Sequence, residues 1–236
     1  MARKESLRAL RTDTVINKKS RVQEKALDRA VLTVKNLLGA KFPGITLKHE
    51  RSWKLKAVVS ELREQYPEID FHYFFESSSM RPDGGILSVV GNSGKSHPIL
   101  IAEKKNQGTN DLRATEGKLK QSKGNAIERL GKNVIGFRTA MKGESIFPFV
   151  CFGDGCDFDE SSSILDRVVT IAQFGRLNHE HLHKQGGANE FDRGTFYFRV
   201  NEWTEDEMAK HSYSVAEKCV FYYFSKYGES EFVPSA

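Results

Sequence analysis

Asp83, Glu103 and Lys105 offer two carboxylates and an amine at a spacing that a folded hairpin could close. They stand in Arg81-Pro82-Asp83-Gly84-Gly85 and Ala102-Glu103-Lys104-Lys105-Asn106-Gln107, with nineteen residues between Asp83 and Glu103. The chain between them reads as strand, turn, strand. Gly85–Val90 is apolar and β-branched, Gly91-Asn92-Ser93-Gly94-Lys95-Ser96 carries turn residues, and residues 98–105 run from apolar into charged. A hairpin folding near Gly94 returns Asp83 to the Glu103 end. Side chains alternate along a strand, so Glu103 and Lys105 share one face and Lys104 takes the other. Two carboxylates and a lysine at one sheet edge can hold a divalent cation and an activated water, with the carbonyl of Ala102 or Lys104 as a further oxygen ligand. The plain alternative is a surface salt bridge between Glu103 and a lysine. The context favours chemistry. Pro98-Ile99-Leu100-Ile101-Ala102 reads as a core strand, and three charges at its end are costly to desolvate unless paired or metal-bound. Gly84 and Gly85 permit a close approach of backbone or ligand beside Asp83.

The elements that must position these residues follow from periodicity. Helical spacing of Ala26, Leu27, Ala30, Val31, Val34, Leu37 and Leu38 predicts a core-packed helix over residues 22–38, with Gly39 as its stop. A second helix is expected from about residue 53 to 65, starting near Ser52 and ending before Pro67. Residues 69–75, Ile-Asp-Phe-His-Tyr-Phe-Phe, read as a strand. Residues 108–123 are polar and lysine-rich, an exposed excursion. A helix begins at Gly124 and carries Ile127, Leu130 and Val134. A buried strand over residues 147–152 follows, ended by Gly153-Asp154-Gly155. Residues 163–174 form an amphipathic helix with Ile164, Val168 and Ile171 inward, closed by Gly175. Residues 195–200 form a strand. The last helix starts at Thr204 with a capping box to Glu207 and buries Met208, Val215, Cys219, Val220 and Tyr223. The pattern is α/β, a central mixed β-sheet flanked by helices.

At 236 residues one domain is the economical reading. Cys151, Cys156 and Cys219 are odd in number and lack paired metal-site spacing, which predicts free thiols in a reducing compartment. No apolar run reaches membrane-spanning length and the basic N-terminus lacks a signal-peptide core, so no membrane association and a cytoplasmic location are expected. The placement of charge says more than its size. Residues 1–25 hold eight basic residues against three acidic ones, which is the whole net charge of +5. A neutral body therefore carries a basic arm, residues 1–21, suited to a polyanion such as DNA. The bland alternative is a solvated terminus. Residues 22–236 then form a single domain, with the exposed segment at about 108–130 set on it.

Asp83 and Glu103-Lys104-Lys105 match the nuclease pattern PD...(D/E)xK. Together with Ala102-Glu103-Lys104-Lys105-Asn106-Gln107-Gly108, Gly124-Asn125-Ala126-Ile127-Glu128-Arg129 and Phe147-Pro148-Phe149-Val150, the segment Arg81-Pro82-Asp83-Gly84-Gly85 resembles the successive motifs of the EcoRI-type restriction endonucleases, in the same order and at similar spacing. The strong resemblance covers roughly residues 66–155. A weaker one runs through Ile164-Leu165-Asp166-Arg167 into the C-terminal part.

The resemblance implies a restriction-endonuclease-like fold and a homodimeric, Mg²⁺-dependent type II enzyme that cuts both strands of double-stranded DNA at a palindrome centred on AATT. A companion DNA methyltransferase goes with such an enzyme. By position, Asp83, Glu103 and Lys105 match the catalytic set, Asp83 and Glu103 holding the metal, and Gln107 follows as in the family. Asn125 and Arg129 match residues that read adenines in the major groove, with Ala126 beside them, and Glu128 braces Arg129 across the dimer. The side-chain chemistry agrees independently, since Asn makes a bidentate pair with adenine N6 and N7. The bland reading makes Asn125 an N-cap and Glu128 with Arg129 a solvated pair. Lys123 and Arg167 are the two candidates for reading the outer base pair.

One competing motif exists. His179-Glu180-His181-Leu182-His183 satisfies H-E-x-x-H, which on a helix would bind Zn²⁺ through His179 and His183 with Glu180 as the base of a protease. The stretch has too few apolar residues to seat a helix and follows a stop at Gly175. Solvated or phosphate-facing histidines are the better expectation. Two further functions fit the same residues: a repair or structure-selective nuclease, and a DNA-binding protein without turnover.

Overall fold

A computed structural model describes residues 15–106, 115, 117, 125–160, 162–183 and 193–233; for 15–21, 125 and 126 it describes the backbone alone. The chain runs α1 (Val15–Lys41), β1 (Thr46–Glu50), β2 (Trp53–Lys54), α2 (Leu55–Gln65), β3 (Ser79–Met80), β4 (Gly85–Val90) and β5 (Ser96–Asn106). It continues with α3 (Asn125–Ala140), β6 (Phe149–Asp154), α4 (Ser163–Ile171), β7 (Thr195–Arg199) and α5 (Glu205–Tyr227). Five strands make the main sheet in the order β1-β4-β5-β6-β7, and β2 pairs with β3 apart from it. The pairs β1·β4 and β4·β5 are antiparallel, and β5·β6 and β6·β7 are parallel. This is the expected mixed sheet, and β5 is the strand at which its direction pattern changes.

Each face of the sheet buries its own core. Leu87, Val89, Leu100, Ala102, Val150, Phe152 and Tyr197 pack against α1 (Leu27, Ala30, Val31, Val34, Leu38) and α5 (Met208, Val215, Cys219, Val220, Tyr223). Ile86, Ile101, Phe149, Cys151, Phe196 and Phe198 pack against α3 (Ile127, Leu130, Val134, Phe137) and α4 (Ile164, Val168). Apolar burial of this kind contributes about 25 cal/mol per Å² and dominates over the exposed Arg29–Glu205 and Lys41–Glu217 pairs that also join α1 to α5. The Thr204 capping box forms as expected, with Glu207 bonded back to the Thr204 backbone.

Four expectations are corrected. Gly39 does not stop α1. The helix starts at Val15 and runs to Lys41, because its buried apolar stripe outweighs a cost of about 1 kcal/mol for one helical glycine; the turn falls at Gly44, with φ +94°. Residues 69–75 are not a strand: among the described residues they make no strand pairing, and Phe74 and Phe75 are 84% and 71% exposed. β-propensity needs a partner strand, and among the described residues no strand pairs with this segment. Trp53 and Lys54 leave the predicted second helix to pair with Ser79 and Met80, so Ser52 is no cap and α2 begins at Leu55. Gly153 and Asp154 extend β6 rather than end it, and the break comes at Gly155, φ +125°.

Candidate active site

The β4–β5 hairpin builds the site. Its register pairs Gly85 with Ala102 and Ile86 with Ile101, which carries Asp83 alongside Lys104. The Gly84 N–H donates to the Ala102 carbonyl at 2.9 Å. A Cβ at Gly84 would lie 2.8 Å from Leu27 Cγ and 2.9 Å from Ala102 Cβ, so only glycine lets α1 rest on the hairpin here. Gly85 has φ +76°, and its missing Cβ would meet the Glu50 carbonyl oxygen of β1 at 2.6 Å. The two glycines thus admit backbone and helix, fixing the short segment that presents Asp83. His49 Nε2 lies 2.9 Å from the Gly84 carbonyl and holds it from the β1 side.

Asp83, Glu103 and Lys105 converge. Lys105 Nζ donates to Asp83 Oδ2 at 3.1 Å, to Glu103 Oε1, and to the Lys104 carbonyl oxygen at 3.1 Å. The Asp83 N–H donates to Glu103 Oε2 at 3.1 Å, and the Lys104 N–H to Asp83 Oδ2 at 3.2 Å. Asn133 of α3 donates from Nδ2 to Glu103 Oε1 at 3.1 Å. Three oxygens of different origin therefore surround one cationic nitrogen. Of the two carbonyls considered from the sequence, Lys104's faces the cluster, while Ala102's is engaged by Gly84. A cleft of about 290 Å³ opens beside these groups, lined by Gln23, Glu24, Asp83, Lys104, Lys105, Asn106 and Arg129. It lies outside the carboxyl ends of the parallel pair β5 and β6, where α/β sheets place ligands.

The electrostatics follow from burial. Glu103 is 1% exposed, and desolvation raises its carboxyl above the ordinary value; Lys105 opposes the rise and Asp83 adds to it. Burial alone would lower Lys105, but the Glu103 and Asp83 carboxylates overcome it and raise the ammonium. Lys104 points to the opposite face, as the alternation predicts, and ends in an enclosed ion pair with Asp154. Asp154 also accepts from Asn106 Nδ2 at 2.9 Å, the Trp203 N–H at 3.1 Å and Gln23 Nε2 at 3.4 Å. Desolvation lowers Lys104, with Asp154 opposing.

Arg129 joins the cleft from the exposed side of α3, and Glu128 is exposed next to it. Asn125 and Ala126 form the first residues of α3; their side chains, and the whole of Gln107 and Lys123, lie outside the described residues. Arg167 sits exposed on α4 and does not line the cleft. Residues 179–183 form a bend and irregular chain that ends in a bridge between His183 and Ile146, not a helix. Glu180 pairs with Lys218 at 2.7 Å and accepts from Ser214 Oγ at 2.8 Å, so the protease geometry is missing. Among the described residues no cluster of three or more His, Cys, Asp or Glu side chains forms a metal site. Asn133 and the partners of Lys104 were not singled out from sequence. The one local signal for Asn133 is its spacing, one helical turn after Arg129.

The family described as Restriction endonuclease EcoRI matches residues 11–164. The type II restriction enzyme RsrI of Cereibacter sphaeroides is 31% identical over 214 residues, 76% of this chain and 77% of that protein. The type II restriction enzyme EcoRI of Escherichia coli is 33% identical over 150 residues, 58% of this chain and 54% of that protein, so the match spans about half its length. With the family match extending over more than half of the 236 residues and the cluster of Asp83, Glu103 and Lys105 inside it, the chain belongs to the EcoRI family of type II restriction endonucleases.

Proposed function

We propose that Asp83, Glu103 and Lys105 cut both strands of duplex DNA at a palindrome centred on AATT, with Mg²⁺ as cofactor and the enzyme acting as a homodimer. The observation that carries this reading is the convergence of Asp83, Glu103 and the Lys104 carbonyl on Lys105 Nζ, in a cleft that Arg129 also lines. The donor set fits the metal: two carboxylates and one carbonyl are hard oxygens, they already surround a positive charge, and Mg²⁺ takes few protein ligands and keeps several waters. When bound, Mg²⁺ supplies charge stabilisation at the scissile phosphate and a more acidic water.

The chain's own groups have distinct tasks. Lys105 is held as an ammonium by its two carboxylates. From its place in the cluster Lys105 orients the attacking water and offsets charge on the phosphate oxygens. Water oxygen attacks phosphorus, the P–O3′ bond breaks, and the products are a 5′-phosphate and a 3′-hydroxyl that takes up a proton. Glu103 has its carboxylate fixed by Asp83 N–H, Lys105 and Asn133, which leaves it little orientational freedom to lose on binding a cation.

Recognition falls to α3. Arg129 reaches purine acceptors from the cleft, Asn125 reads adenine from the start of the same helix with Ala126 beside it, and Glu128 braces Arg129 across the dimer. Lys123, Arg167 and Gln107 supplement these contacts near the outer base pair and the strand end. The basic residues 1–21 add phosphate affinity to a single nuclease domain, residues 22–236, whose recognition segment is about 108–130. The enzyme works in the cytoplasm beside a DNA methyltransferase that protects the host; among the described residues no helix is long and apolar enough to cross a membrane. Plasmid digestion with Mg²⁺, followed by sequencing of the ends, tests the reading. Discrete fragments sharing a palindrome with AATT at its centre are expected. Ends without a common sequence would point to a structure-selective nuclease, and uncut plasmid across salt and metal conditions would overturn the reading.

A further inference from the structure

We propose that Asn133 is a positioning residue that ties the seating of α3 to the orientation of the Glu103 carboxylate, so that recognition and cutting share one mechanical link. The proposal rests on the reading of Asp83, Glu103 and Lys105 as the cutting centre. Three donors from three parts of the chain fix Glu103: the Asp83 backbone on Oε2, and Lys105 Nζ with Asn133 Nδ2 on Oε1. The first two belong to the hairpin itself. The third comes from a helix whose other residues have a different task.

The geometry of α3 makes the link specific. At 100° per residue, Arg129 and Asn133 are offset by about 40°, one turn apart on one face. Arg129 lines the cleft, and Asn133 reaches past it to the buried carboxylate. On the adjoining, core-facing side Ile127, Leu130, Val134 and Phe137 key the helix into the core. A shift of α3 along or about its axis therefore moves Arg129 and Asn133 together. The side-chain type also suits the task. An amide N–H orients a carboxylate without adding charge, whereas a lysine here would compete with a cation and an aspartate would repel Glu103. A carboxylate oxygen only accepts, so the amide nitrogen is the atom that must face it.

The test uses the full chain as wild type, Asn133→Ala and Asn133→Leu, the leucine keeping the volume without the donor. Binding to a duplex carrying the sequence that the wild type cuts is measured without metal, and single-turnover cleavage is measured across Mg²⁺ concentrations. Both variants are expected to bind within about threefold of wild type and to cleave about ten- to a hundredfold more slowly at saturating Mg²⁺, the size of one missing charge-assisted hydrogen bond. The Mg²⁺ concentration for half-maximal rate is expected to rise by at least about threefold. On a duplex altered at one base, the extra discrimination that appears at cleavage over binding is expected to shrink. A merely structural asparagine would lower the active fraction and the melting temperature without moving the Mg²⁺ midpoint. An unchanged midpoint, with or without a slower rate, overturns the proposal. A wild type that leaves every duplex uncut overturns the parent reading and this inference with it, whereas variants matching a cleaving wild type overturn the inference alone.

Discussion

Lys104 and Lys105 are neighbours on β5, carry the same group and leave the strand on opposite faces. Lys105 meets two carboxylates beside an open cleft, and its charge is reinforced. Lys104 borders the same cleft but turns its ammonium away into a buried pair with one carboxylate, 3% and 0% exposed at the two side chains, and desolvation works against its charge. An ion pair at a cleft has oxygens that can exchange one cation for another, so it suits catalysis. An enclosed pair has all its partners fixed, and this one joins α1 through Gln23, β6 through Asp154 and the segment leading into α5 through Trp203. Strand alternation alone can therefore assign adjacent, identical side chains to chemistry and to architecture.

Substitutions at the two lysines should separate these roles most strongly. Lys105→Ala is expected to lower single-turnover cleavage by about 10²- to 10³-fold, as for other electrostatic stabilisers removed from active sites, and also to lose the stability that its charge lends beside the buried Glu103 and Asp83. Lys104→Met is expected to lose stability alone. It leaves Asp154 buried without its cation and costs about 3–5 kcal/mol of stability, read by urea unfolding, while cleavage per folded molecule stays within about threefold. Adding Asp154→Asn to Lys104→Met removes the orphaned charge while keeping an oxygen for the Trp203 N–H, and is expected to recover part of that stability. A Lys104→Met protein that is stable but dead would reverse the assignment of the two lysines.

A pH effect of more modest size bears on the cleft side alone. Burial holds the Glu103 carboxyl above its ordinary 4.5, so the folded protein binds more protons than the unfolded chain from about pH 4.5 up to the raised value. The stability contributed by this group falls as pH climbs through that window. The raised Lys105 contributes fully below its ordinary 10.5 and does not change there. Metal-free melting of wild type is therefore expected to fall relative to Glu103→Gln as pH rises from 4.5, and a divalent cation is expected to reverse the trend. A wild type that gains on Glu103→Gln over the same range would mean that Lys105 outweighs desolvation.

The mildest change is expected away from both lysines. Deleting residues 1–14, the part of the arm that precedes α1, should flatten the salt dependence of DNA binding by about 0.9 log units for each phosphate that this part neutralises, and an unchanged slope would remove residues 1–14 from the interface.

The sequence made the hairpin legible because turn residues and β-branched runs are local signals, and alternation then separated Lys104 from Lys105. The capping box at Thr204 and the buried stripe of α5 were legible for the same reason. Residues 69–75 misled because strand propensity is local but strand pairing is not. Gly39 misled because a glycine's local cost is small against a long buried stripe. The partner of Lys104 stands fifty residues away, at Asp154, and Asn133 meets Glu103 only because α3 packs across β5. Pairings of that kind are set by tertiary packing and leave no short-range trace.

Plasmid cleavage by Asp83→Ala beside wild type, with Mg²⁺ present and DNA binding followed by gel shift, probes the cutting centre itself. Wild type is expected to yield discrete fragments, and Asp83→Ala to bind the same DNA but leave it intact, a drop of at least about 10³-fold in rate. Asp83→Ala giving the wild-type fragments at a comparable rate would contradict the placement of the cutting centre at Asp83, Glu103 and Lys105.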